Sequence, residues 1–318
     1  MKIKTSKNRK NRNGKTVRFK KMMCSPAVSN IKIHKDSCFT PDVLKQIQDK
    51  YNENHPENKI MDRDPKKVWL ELKQKLNCLK EECWLNQIEN QSMREQIKKN
   101  IFAPKHPPEW NNNPDEWLSN YDIMDVMKQY ETSYSEFKFL GPTTIDFDTK
   151  VPEHGYKCVL EDLCNFSLER FISAKKTKIG IVFNLDKYYE SGSHWVSMYI
   201  DITNRFIFFF DSADNEIPPE IWKETPDDPL PLVNRIIKQG LELPQPIQFT
   251  FYNNRGIGHQ TGNTECGMYS LFFIITMLTG KQPNSKRTLS LNKRRDLFLK
   301  KRIPDTMVFQ YRKLYFND

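Results

Sequence analysis

The sequence predicts an α+β fold, and three observations carry that expectation. Residues 31–102 place apolar side chains at helical spacing with no strand-like alternation. Beyond about residue 117, short runs rich in Val, Ile, Phe and Tyr are interleaved with helical stretches. The run "CGMYSLFFIITMLTG" is apolar nearly all round, as a helix at the centre of a core must be.

The 318 residues suffice for two domains, or for one domain with an extension. The formal charge of +10 is local: residues 1–21 hold ten of the 50 Lys and Arg and no acid, leaving 40 bases against 40 acids in the body. Residues 1–30 are therefore expected to be a disordered basic tail. It serves either as a nuclear-localisation, nucleic-acid or acidic-surface contact, or as a solubilising arm without a specific partner.

Residues 31–105 are expected to form a helical arm. "FTPDVLKQIQDKYNEN" offers Thr40 as N-cap, Pro41 at the first helical position and Val43, Ile47 and Tyr51 four apart. "DPKKVWLELKQKLNCLKEECWLNQ" repeats the device with Pro65, then Val68, Leu72 and Leu76. "APKHPPEWNNNPDEW" is a boundary, and residues 106–318 form the second domain. There, a helix over 117–130 leads into strands "KIGIVFNL" and "HWVSMYIDITNRFIFFFDS", the latter a hairpin turning near Thr203–Asn204. A helix ending at Gly240, the strand "IQFTFYN" and a helix ending at Gly280 complete the pattern.

No apolar run approaches the roughly 20 residues of a membrane span, and no apolar stretch follows the basic N-terminus as in a secretory signal. Seven cysteines over a mid-sized chain predict reduced thiols and an intracellular, cytosolic or nuclear setting. Cys78 and Cys83 lack a second ligand pair, so no metal or other cofactor is expected. Nor do the eleven glycines form a phosphate-cradling loop.

Cys266 stands where a polar loop meets the apolar helix. A helix N-terminus stabilises a thiolate, and Thr264 offers an N-cap. Such a nucleophile needs a base. Of six histidines, His194 has the strongest setting, at the start of a strand whose hairpin partner ends at Asp211. Either direct opposition or one diagonal step keeps the two on one face, and direct opposition spaces Cβ atoms by about 4.5–5.5 Å. His259, in the same loop as Cys266, remains a rival. Gln260, six residues before Cys266, can aim its amide at a tetrahedral oxyanion.

The order "HW", "DS", then Gln-x5-"CG" before an apolar helix resembles the ubiquitin-like-protein proteases, the clan of SUMO and adenovirus proteases. "EWLSNYDIMDVMKQYE" is similar to that clan's first helix, with Trp117 opening it. The resemblance implies a papain-like, adenain-like cysteine protease core preceded by a helical arm. Cys266 would then be nucleophile, His194 its acid/base, Asp211 the orienter and Gln260 the oxyanion donor. Trp117 and Trp195 would flank a tunnel admitting only a Gly-Gly tail. "TECG" departs from the aromatic-Asp pair usual before "CG" in SUMO proteases. With "KFLGPTTIDFD" and "CFTPDVL…CWL", the chain looks closer to proteases of large DNA viruses, including those of African swine fever virus and giant viruses. A virion-maturation protease acting on structural polyproteins, in virion and host cytoplasm, is the first implication. A SUMO-type deconjugating protease is the second. An inactive scaffold binding nucleic acid through its tail, and an acyltransferase using the same residues, are rivals of other classes.

Overall fold

The computed structural model describes residues 9–10, 16–17, 19–281 and 287–318. The chain divides into two compact units, Met1–Lys105 with Tyr315–Asp318, and His106–Leu314.

In the first unit, helix α1 (Pro41–Asn54) begins where Thr40 Oγ1 accepts the Val43 N–H, with Pro41 at the first position. Helix α2 (Pro65–Lys75) begins likewise at Asp64, whose carboxylate accepts the Lys66 N–H. A 3₁₀ segment, Glu81–Gln87, leads to α3 (Gln91–Ile101), capped by Asn90. Leu44, Ile47, Tyr51, Val68, Trp69, Leu72 and Trp84 form the core. Glu81 lies within it, accepting from Cys38 N at 2.8 Å and Trp69 Nε1 at 2.6 Å.

Residues 19–30, expected in a disordered tail, instead belong to this unit and lend side chains to its core. Met22 and Val28 are buried, and Ser25 N donates to Ile101 O at 2.9 Å. Met22, Val28 and the partly buried Phe19 supply the apolar contacts that tie this stretch down. Arg9–Lys10 pairs antiparallel with Thr16–Val17; the rest of the expected tail, residues 1–8, 11–15 and 18, lies outside the described residues. The C-terminal residues join this unit too: the Asn317 amide bridges Met23 N, Met23 O and Ala103 O at 2.7–2.9 Å.

The expectation of seven reduced thiols is corrected. Cys24–Cys38, Cys78–Cys83 and Cys158–Cys164 are paired, over sequence separations of 14, 5 and 6 residues. Each pair closes a short stretch of chain, which a count of cysteines does not reveal. Cys266 alone is free.

The second unit opens with α4 (Asn120–Ser133), closed at its start by a Ser119–Asp122 capping box. Trp117 thus precedes the helix rather than opening it, because the capping pair sits two residues further on. A five-stranded sheet follows, in the order β1 (Phe137–Thr144), β2 (Lys178–Asn184), β3 (Trp195–Asp201), β4 (Phe206–Phe210) and β5 (Thr250–Asn253). The outer pairs are parallel and the inner ones antiparallel.

One sheet face packs Ile181, Met198 and Phe209 against α5 (Leu232–Glu242). The other receives α6 (Cys266–Thr279), whose Phe273 meets Phe208 at 5.0 Å and Phe210 at 4.8 Å between ring centroids. Burial on both faces explains why "FIFFF" reads as a continuous apolar run. At Gly180 a Cβ would lie 2.8 Å from Ile274 Cγ2, so α6 presses directly on β2. The helix ends at Gly280, whose φ of 65° is the left-handed conformation expected of a C-cap glycine. Its N-terminus faces the end of the sheet where β3 starts and β4 stops.

Candidate active site

His194 precedes β3 and Asp211 follows β4. Ser197 opposes Phe210, which places Asp211 one diagonal step from His194. The reach closes in a 2.6 Å bond between His194 Nε2 and Asp211 Oδ1. Cys266 acts on the imidazole as well, and because the Asp211 bond occupies Nε2, Nδ1 is the nitrogen left for the thiol. Burial opposes protonation of His194, but the bonds and charges of Asp211 and Cys266 outweigh it and push the pKa up to about 9.

Asp211 is held as firmly as it holds. Its carboxylate also accepts from Ala213 N at 2.8 Å, Asn215 N at 3.0 Å and Asn215 Nδ2 at 2.9 Å. Burial would raise its pKa, yet these donors and His194 bring it below the ordinary value. Asn254 clamps the backbone, accepting from Asp211 N at 2.9 Å and donating to Asp211 O at 2.7 Å. Asn254→Ala strands both backbone groups and should lower stability in urea by about 1–3 kcal/mol. Unchanged stability would show that the clamp is dispensable.

The stretch before His194 is pinned. Ser193 Oγ donates to Asp186, Gly192 N donates to Asp186 Oδ2 at 2.9 Å, and Ser193 N donates to Asn184 Oδ1 at 3.2 Å. Gly192 adopts φ +95°, a conformation that favours glycine. The "SGS" stretch is thus an irregular segment held by Asn184 and Asp186.

The rival, His259, is engaged by backbone. It is fully buried, with Nε2 donating to Phe298 O and Nδ1 accepting from Ile303 N, both at 3.1 Å. Burial lowers its pKa. Both nitrogens are occupied by backbone, so the ring is a neutral strut.

Gln260 lies beside the dyad through Ser212, the other half of "DS". Ser212 Oγ donates to Gln260 Oε1 at 2.8 Å, and Ser212 O accepts from Gln260 N at 2.8 Å. Gln260 Nε2 gives one N–H to Gly262 O at 2.9 Å, and an amide nitrogen carries a second. Cys266, 2% exposed, is the first residue of α6, where backbone N–H groups lack helical partners. Glu265 rather than Thr264 occupies the cap position, and it makes no side-chain cap bond.

Trp195 is buried; its Nε1 donates to Leu118 O at 3.1 Å. At Gly267 a Cβ would lie 3.1 Å from Leu118 Cβ and 3.3 Å from Trp195 Cδ1. Trp117, next to Leu118, is 37% exposed.

Two anchors had no signal in the sequence. Asp305 accepts from Thr261 N and Gly262 N at 3.0 Å, and from Tyr269 OH at 2.9 Å. Arg312 pairs with Glu265, Nη2 to Oε1 at 2.8 Å. Both act across more than thirty residues of chain, as ordinary surface-type residues in a polar C-terminal stretch. Among the described residues no group of three His, Cys, Asp or Glu could hold a metal.

A free cysteine at a helix start and an imidazole held by a buried carboxylate are the elements of a thiol-peptidase site. The chain belongs to the Ulp1 protease family, whose C-terminal catalytic domain matches residues 126–306. It is a cysteine-type protease. Among relatives, it is 28% identical over 204 residues to a protein of Acanthamoeba polyphaga mimivirus that carries a thiol-protease name. That match covers 64% of this chain and 60% of the mimivirus protein, so the chain spans less than two thirds of that relative. A cysteine protease of African swine fever virus is 24% identical over 254 residues, 76% of this chain and 81% of that one. The crystal structure of the African swine fever virus protease shares the fold, with a TM-score of 0.59 and 20% identity over 93% of this chain and 95% of that one.

Proposed function

We propose that this chain is an endopeptidase that cuts after small residues at Gly-Gly-X sites and processes structural polyproteins during virion maturation. The observation that supports the mechanism most is the 2.6 Å His194–Asp211 bond, which leaves the other imidazole nitrogen for the one free cysteine, Cys266. Cys266 Sγ attacks the scissile carbonyl carbon after passing its proton to His194. The oxyanion formed accepts hydrogen bonds from the Cys266 backbone N–H and the free N–H of Gln260. The His194 imidazolium then protonates the leaving amine, giving a thioester. Water, deprotonated by His194, attacks that thioester and releases the acid and the thiol.

The pH dependence follows from His194. Its raised pKa keeps the imidazolium present at neutral pH and loses it as pH rises through about 9. kcat/KM should therefore fall along an alkaline limb near pH 9, and Asp211→Asn should move that limb to lower pH. A limb unmoved by the substitution contradicts the pairing.

The Gly-Gly preference is supported by the fixed indole of Trp195 beside His194 and by the partly exposed Trp117 next to Leu118. Two indoles can sandwich a backbone without side chains. Trp195→Ala should weaken turnover of Gly-Gly-X peptides and narrow their advantage over Ala-Ala-X. Equal cleavage of both peptides by the unsubstituted protein would end the tunnel idea and leave the cysteine mechanism standing.

Viral relatives favour the polyprotein role and a site of action in the virion and host cytoplasm. The basic residues 1–21 are offered as a nucleic-acid or acidic-surface contact. A second reading, deconjugation of a ubiquitin-like protein, is favoured by the SUMO-1 cysteine protease name that the relatives from some African swine fever virus isolates bear. Incubation with Gly-Gly-X peptides and with ubiquitin-like fusions, with products identified by mass spectrometry, separates the two readings.

A further inference from the structure

The loop from His259 to Glu265 joins Gln260 to Cys266, and one stretch of chain braces it at both ends. At its start, Arg302 donates to His259 O at 2.9 Å and Thr261 Oγ1 at 3.0 Å, while Asp305 takes the N–H groups of Thr261 and Gly262. At its end, Arg312 forks onto Glu265, Nη2 to Oε1 at 2.8 Å and Nε to Oε2 at 3.2 Å. The two side chains are 3% and 5% exposed. The same guanidinium donates to Glu116 O at 2.8 Å and Pro114 O at 3.1 Å, and lies 4.3 Å from the centre of the Trp110 ring.

Stability alone gives such a pair little reason to exist, since well-packed apolar side chains often match or exceed a buried ion pair. Its position suggests a purpose. Glu265 is the cap residue of α6, and its carbonyl accepts the Tyr269 N–H at 2.8 Å. Short cap side chains such as Ser, Thr, Asp and Asn fold back onto the first N–H groups of a helix, and an unpaired glutamate at the cap would compete for the same groups. Here that would set a carboxylate beside the nucleophile and occupy N–H groups an oxyanion needs. Arg312 draws the carboxylate away, neutralises it and ties it to the Glu116 backbone, one residue from Trp117.

We propose that Arg312 is a positioning residue for the reaction: through Glu265 it fixes the backbone of Cys266, and through Glu116 it couples the Trp117 segment to the nucleophile loop. Arg312 lies beyond residue 306, where the family match ends, whereas its partner Glu265 lies within it. The inference rests on Cys266 as nucleophile, which the activity of Cys266→Ser tests separately.

Arg312→Lys keeps the charge and loses the fork. Its kcat on a Gly-Gly-X peptide should fall by about 10²-fold with KM little changed, since a misplacement near 1 Å costs about that much. Alkylation of Cys266 by iodoacetamide, which needs the thiolate but no oxyanion donors, should keep its rate and pH profile. The double variant Glu265→Met, Arg312→Met removes both charges and guards against misfolding from an orphaned carboxylate. It should retain or raise the melting temperature and still show the kcat loss. If that folded double variant turns over within twofold of the unsubstituted protein, the pair is structural and the proposal is overturned. A kcat loss in Arg312→Lys matched by an equal loss of alkylation rate would overturn it as well, because the nucleophile rather than its oxyanion geometry would then have failed.

Discussion

Cys266→Ser is expected to lower peptide turnover by a factor on the order of 10⁴–10⁶, the cost of removing a nucleophile from a set of residues that act as a unit. A serine hydroxyl keeps the shape but is a far weaker nucleophile in a site built for a thiolate. A thiol ionises far more readily than an alcohol, so the same imidazole cannot activate serine to a comparable degree. Cys266 is 2% exposed and only its sulfur is exchanged for a smaller oxygen, so circular dichroism and melting temperature should stay close to the unsubstituted protein. Turnover surviving in a folded Cys266→Ser protein would require a different nucleophile, and none of the other cysteines is free.

His194→Ala should be nearly as severe, while His259→Ala should act on stability. Removing the His194 imidazole takes away the group that accepts the thiol proton and later protonates the leaving amine. Asp211→Asn keeps the ring but replaces an acceptor-only carboxylate with an amide that can present a donor to Nε2. The ring then turns or takes the wrong tautomer, and kcat should drop by about 10²–10⁴. His259 differs in kind. Its two backbone bonds join the nucleophile loop to Phe298 and Ile303, so alanine leaves a cavity and two orphaned backbone groups. Cleavage assays on the two alanine variants, normalised to the folded fraction, distinguish the roles. An active His194→Ala beside a folded but dead His259→Ala would reverse the assignment.

The parts of this molecule set by near neighbours in the chain are legible in its sequence. Thr40 and Pro41 announce α1, and Gly280 ends α6. Hairpin arithmetic alone puts His194 and Asp211 on one face, although only the observed register chooses the diagonal arrangement. What stays hidden depends on contacts between distant segments. Nothing near His259 in the chain says that Phe298 and Ile303 consume both its nitrogens. Glu265 reads as a departure from the expected residue before "CG", and its meaning appears only with Arg312, 47 positions away. Charge makes residues 19–30 look like a tail, whereas Met22 and Val28 find their burial against helices much later in the chain. Apolar spacing puts Trp117 in a helix because it does not locate a cap; the Ser119–Asp122 box does.

The central claim is that Cys266, paired with His194, performs the cleavage. The most direct test is to react the folded protein with a Gly-Gly peptide vinyl sulfone at one equivalent and map the adduct by mass spectrometry. A single adduct on Cys266, formed in step with loss of peptidase activity and nearly absent in His194→Ala, is the predicted result. An adduct at any other residue that accompanies inactivation, or full labelling of Cys266 with cleavage undiminished, would contradict it.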